Sequence, residues 1–143
     1  MSDTEIPARY QDPETMRAIL REARTIAVVG LSPHPGRPSH DVARYLQAQG
    51  YRIVPVNPTE QEILGEPSYA SLSDIPFPVD LVDVFRRPEY VPAIAEEAVK
   101  IGAKALWLQL GVISPEGAEI AERGGLRVVV DRCTKVERMR YGG

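Results

Sequence analysis

The chain has 143 residues, of which 43% are hydrophobic and 26% charged, and a formal net charge of −3. That length predicts one domain able to bury a core without disulfides or metal, and the composition excludes a disordered chain. The acidic balance argues against a non-specific nucleic-acid binder; one cysteine excludes an internal disulfide framework, and two histidines make a protein-only transition-metal site a poor fit.

Residues 1–12 are polar, carry Pro7, and predict a loose arm without the basic start or apolar stretch of a signal peptide. No apolar run reaches the ~18–20 residues of a membrane span, so the expected location is the cytoplasm. Asp12 followed by Pro13 predicts a helix to about Arg24. Thr25 to Gly30 is a short β-branched run closed by glycine, a buried strand. The proline-rich stretch 31–38 is a loop, and Ser39 starts a helix that Gly50 ends. Tyr51 to Val56 predicts a second strand, closed by Asn57-Pro58. Residues 59–78 predict a short helix near 60–64 and turns. A third strand is expected over Val79–Phe85, a helix from Pro88 to Gly102, and a fourth strand over Ala105–Leu110. Ser114 and Pro115 open a helix that ends near Gly124, and Leu126–Val130 is a fifth strand. Residues 131–143 read as a polar tail, with 136–143 as the tail of the domain.

Strands alternating with helices predict an α/β, Rossmann-like three-layer sandwich with a five-stranded parallel sheet of order 3-2-1-4-5, forming one domain over 1–143. Ligands of such sheets bind beyond the carboxyl ends of the strands, where strand order reverses. The expected reversal lies between the loops that start at Gly30 and Leu110.

The first loop keeps one glycine of a G-x-G-x-x-G fingerprint, with Ser32 and Pro35 where the others would stand. Its turn amides, Ser32, Ser39 and the helix start can bind phosphate, or the loop is a stiff structural one. After the second strand, Asn57 replaces the acidic ribose ligand of ordinary NAD enzymes; it either caps the turn or meets an adenine or ribose edge. Arg86 and Arg87 are either solvated or form charge-assisted forks to an anion, and Phe85 is either core or an apolar wall. Together Arg37, Arg86, Arg87, Arg132 and Lys135 fall on the expected mouth, opposed by Asp131, which suggests a small polyanionic ligand. Gly111 either admits a ligand or only ends a strand. Cys133 is either an inert thiol or one activated by nearby cations.

The segments VVGLSPHPGRPSH, VPVNP, GEPSYASLSDIP, VDLVDVFRRPEYVP, LWLQLGV and DRCTK occur in that order. With them the chain resembles, over about residues 15–136, the small stand-alone CoA-binding proteins, whose domain is similar to the CoA-binding domain of the succinyl-CoA synthetase α subunit. The resemblance implies a Rossmann-like domain that binds coenzyme A. It implies that Gly30, Ser32, Pro33, Arg37, Pro38 and Ser39 face the ADP and pyrophosphate part, and that Asn57 and Pro58 lie by adenine and ribose. Phe85, Arg86 and Arg87 would border the same crevice, and Gln109, Leu110 and Gly111 would sit near the phosphates or the pantetheine arm. Thioester synthesis is not implied, because the synthetase's phosphorylated histidine and nucleotide-grasp partner have no counterpart here. The function expected is binding of CoA or an acyl-CoA by a non-catalytic module or regulator, a small-molecule partner with no nucleic acid and no membrane. The alternative is an NAD(P)-binding oxidoreductase-type domain, which the poor fingerprint and Asn57 oppose. A third reading has Cys133 form a mixed disulfide with the CoA thiol.

Overall fold

Short apolar runs punctuated by glycine and proline become strands, and amphipathic stretches opened by proline become helices. The computed structural model describes residues 5–142. In chain order the elements are α1 (Pro13–Glu22), β1 (Thr25–Val29), α2 (Pro38–Ala48), β2 (Arg52–Val56), β3 (Glu62–Ile63), β4 (Glu66–Pro67), β5 (Leu81–Val84), α3 (Val91–Lys100), β6 (Ala105–Leu108), α4 (Pro115–Arg123), β7 (Arg127–Val129) and α5 (Thr134–Tyr141). Asp12 caps α1 by accepting from the Thr15 amide, and Ser114 caps α4 by accepting from that of Gly117.

The five long strands form one parallel sheet. Alternate strand residues point to opposite faces. Ala27, Val29, Val82 and Leu106 pack with α3 and α4, whereas Ile26, Val28, Leu81 and Trp107 pack with α1 and α2. The result is the expected α/β Rossmann-like three-layer arrangement, with every strand ending on the same edge.

The strand order differs from expectation. It is β2-β1-β5-β6-β7, which in the count of sheet strands is 2-1-3-4-5 and not 3-2-1-4-5. The outer edge of β2 is already occupied: the Tyr69 amide donates to Pro55 O, and the Asn57 amide donates to Tyr69 O. The chain leaving β2 thus covers that edge itself, and β5 adds on the free side of β1.

Three local expectations are also corrected. No helix forms at 60–64; β3 and β4 make a hairpin whose turn residues Leu64 and Gly65 both have positive φ, as a tight two-residue hairpin requires. Within the arm, residues 8–11 form a 3-10 turn that is docked, not loose. Tyr10 is buried, its carbonyl accepts from the Val130 amide, and Arg9 pairs with Glu122 at 2.8 Å. The polar tail contains α5, which lies against α1 and α2. Among the described residues no helix is long and apolar enough to cross a membrane.

Candidate functional site

Each expected site residue follows the carboxyl end of a strand, so the parallel sheet gathers all of them on one rim. Backbone hydrogen bonds stitch the rim together strand by strand. The Gly30 amide donates to Val56 O, that of Phe85 to Val29 O, that of Gln109 to Val84 O, and that of Arg132 to Leu108 O. With the observed strand order, the reversal point lies between β1 and β5. The Gly30 and Phe85–Arg87 loops are therefore direct neighbours, and Leu110 stands one strand further away than expected.

Gly30 marks this junction. Its φ is +86°, and a Cβ there would lie 2.6 Å from the Phe85 carbonyl oxygen. Beyond it the loop is braced from within. The Ser32 amide donates to Ser39 Oγ at 2.9 Å, and Ser32 Oγ accepts from the His34 amide. Arg37 is the N-cap of α2, and its side chain makes no capping bond. The positive end of that helix therefore faces the rim, next to the exposed Arg37 and Pro38. Pro33 is half-buried in the same loop.

Asn57 is a scaffold residue. Its Nδ2 donates to Leu31 O at 3.0 Å, and its Oδ1 accepts from both the amide and the hydroxyl of Thr59. It ties the first loop to the second, and leaves one amide hydrogen for other contacts. A hollow of about 210 Å³ opens beside it, lined by Val29, Val56, Pro58, Leu72, Arg86 and Tyr90 among others. The Arg86 guanidinium lies 4.3 Å from the Tyr90 ring centroid and that of Arg87 lies 5.6 Å away. Phe85 is half-buried and packs against the α1–α2 core, so it is chiefly a core residue.

This rim carries both signs of charge: five cations follow strand ends, while Asp41 accepts from the Gly36 amide in the first loop and Glu97 lines the hollow. The ion pairs formed among the described residues involve none of Arg37, Arg86, Arg87, Arg132 or Lys135. Asp131, the acid expected to oppose them, has Oδ1 engaged by the Gly111 amide at 2.7 Å. Unpaired guanidinium groups beside a helix amino end make an anion-binding surface.

Gln109 is turned inward. It is buried, and its Nε2 donates to Asp83 Oδ1 at 2.6 Å and to Thr134 Oγ1 at 2.9 Å. Thr134 Oγ1 in turn donates to Asp83 Oδ2 at 3.0 Å. Asp83 has 0% exposure, and burial pushes its carboxyl up to about 7 against the opposing pull of these two hydrogen bonds. The side chain of Gln109 thus organises the floor of the rim, while Leu110 and Gly111 stay exposed above it. Cys133 is the half-buried N-cap of α5 and packs against the α1–α2 core. Sequence reasoning missed Asp83, Thr134 and Tyr90. Asp83 had a signal, an acid inside an apolar strand with its side chain on the same face as Leu81.

A Rossmann-like domain with an arginine-bearing strand-end rim is the class this geometry defines. The chain belongs to the CoA binding domain family, whose model matches residues 24–139. It is 43% identical over 121 residues to the uncharacterized protein YneT of Bacillus subtilis, covering 85% of this chain and 90% of that one. It is 30% identical over 120 residues to the ADP-forming acetate–CoA ligase I of Archaeoglobus fulgidus, covering 77% of this chain and 18% of the ligase. A solved structure of a hypothetical protein from Pyrococcus horikoshii superposes with a TM-score of 0.91 at 37% identity, over 97% of this chain and 98% of that one. The chain therefore matches nearly the full length of YneT and of the Pyrococcus horikoshii protein but under a fifth of the ligase.

Proposed function

We propose that this chain binds coenzyme A or an acyl-CoA through the ADP and pyrophosphate part, as a non-catalytic module. The observation that carries the reading is the set of arginines after the strand ends that form no ion pair among the described residues, near the amino end of α2, which has no side-chain cap, at the strand reversal. Coenzyme A presents a pyrophosphate and a 3′-phosphate, which suit that surface, and a flat adenine, which suits the hollow between Pro58, Arg86 and Tyr90. Membership of the CoA binding domain family and the likeness to an acetate–CoA ligase support the same ligand. Asn57 in place of an acid disfavours the free ribose hydroxyls of NAD.

Calorimetric titration with CoA, acetyl-CoA, NAD and NADP tests this. Saturable binding of CoA and acetyl-CoA, with NAD and NADP much weaker, is the expected result. Tight binding of NAD or NADP with none of CoA would overturn the reading.

A further inference from the structure

The rim does not stop at Gly111. At the corner where β7 ends, a cavity of about 470 Å³ is walled by Ile6, Pro7, Tyr10, Ile113, Ala118 and Val130. This volume lies within the ~300–1,000 Å³ range of small-molecule sites. Its outer wall is fixed in place. The Val130 amide donates to Tyr10 O at 2.9 Å, Gln11 Nε2 donates to Val130 O at 3.1 Å, and the Tyr10 hydroxyl donates to Glu122 at 2.8 Å.

Two features join this cavity to the rim and say what fits it. The first is continuity. Ile113 lies two residues past Gly111, Val130 precedes Asp131, and Gly111 and Asp131 are themselves hydrogen-bonded. Leu110, just before Gly111 on the rim, is 64% exposed, an apolar side chain left uncovered on the way from the phosphate end toward Ile113. The second is charge. The cavity margin carries the exposed Glu5 and Glu119, and Arg9, the one cation among its described lining residues, is already paired with Glu122. This corner repels anions, whereas the arginine side of the rim attracts them. An amphipathic ligand is therefore sorted along the rim, phosphates to one end and an uncharged apolar group to the other.

We propose that this cavity takes the uncharged, medium-length acyl chain of an acyl-CoA, which makes the ligand class an apolar acyl-CoA and not a short or carboxylate-bearing one. This assignment rests on the CoA reading above.

The test pairs calorimetry on the full chain, using CoA, acetyl-CoA and octanoyl-CoA, with nitrogen-15 NMR using S-octanoyl-N-acetylcysteamine, the same thioester without a nucleotide. Octanoyl-CoA should bind at least roughly tenfold tighter than acetyl-CoA, because each added methylene leaves water. The nucleotide-free thioester should shift the amides of Ile113, Ala118 and Val130. Ile6→Trp, which fills the cavity from the docked arm, should abolish the tenfold gain while CoA and acetyl-CoA keep their affinities; Ile113→Trp fills it from the opposite wall should the first variant not fold. Equal affinities for acetyl-CoA and octanoyl-CoA, or a gain that survives in a folded tryptophan variant, would overturn the acyl site and leave CoA binding standing. A chain silent to CoA whose cavity amides still shift with the thioester would overturn the CoA reading and with it the acyl-CoA assignment, leaving a cavity that takes apolar chains of another source.

Discussion

Gly30 has no room for a side chain, and the reason lies in the two strands that meet beside it. Its φ of +86° is unfavourable for L residues, and the Phe85 carbonyl occupies the space a Cβ would need. Gly30→Ala should destabilise the fold by about 2–4 kcal/mol, combining left-handed strain with steric overlap. A urea titration showing a lower midpoint at an unchanged slope would agree; an unaltered midpoint would mean the junction is looser than described. Arg86 and Arg87 pose the opposite case, since their guanidinium groups contact only the Tyr90 ring face among the interactions described above. The double variant Arg86→Ala, Arg87→Ala should leave stability within about 1 kcal/mol, the size of an exposed cation–π contact. It should weaken CoA binding by roughly 2–4 kcal/mol if both arginines reach phosphates. Calorimetry separates the two effects, and an unaltered affinity would remove these arginines from the site.

Elements explain why the sequence revealed the rim but not the strand order. Any order of a parallel sheet puts all strand ends on one edge, so the list of loops survives an error in which strands are neighbours. The order itself had a signal in Pro55, in the middle of β2: proline cannot donate to a ladder and belongs on edge strands. An order of 3-2-1-4-5 would have made β2 internal. The β3–β4 hairpin was hidden because strands of two residues have no period, and its turn places the non-glycine Leu64 at positive φ. In α5 the buried residues are Thr134 and Glu137, so no apolar stripe announces the helix. What holds its start is Asp83, which joins β5 to Gln109 after β6 and to Thr134 on α5. The folded carboxyl is raised from 3.8 to about 7, so between those values the native state binds more protons than the unfolded chain. Its contribution to stability is full below the lower value and is lost as pH rises through the higher one. From pH 5 to pH 8 the wild type should therefore lose roughly 2–3 kcal/mol relative to Asp83→Asn, whose amide keeps both partners without ionising. Parallel stability curves for the two proteins over that range would show that Asp83 titrates normally.

At the scale of the whole molecule, net charge and local charge point in opposite directions, and salt distinguishes them. The chain carries −3 overall, yet Arg37, Arg86, Arg87, Arg132 and Lys135 all follow strand ends and form no ion pair among the described residues. If CoA responded mainly to the body charge, added salt would screen repulsion and tighten binding. If it responds to the rim, salt must weaken binding. The Debye length falls from ~10 Å at 0.1 M to ~3 Å at 1 M, which spans the distances between exposed side chains and a docked phosphate. Several exposed pairs, each contributing ~0.2–1 kcal/mol, then add up to about tenfold in affinity across that range. Most of the loss should fall on the association rate, because steering acts before contact. Stopped-flow titration of CoA in increasing potassium chloride should show a falling association rate with a nearly constant dissociation rate. The slope should flatten in the Arg86→Ala, Arg87→Ala protein. A rising affinity with salt would place the ligand on the acidic body of the protein and remove it from this rim.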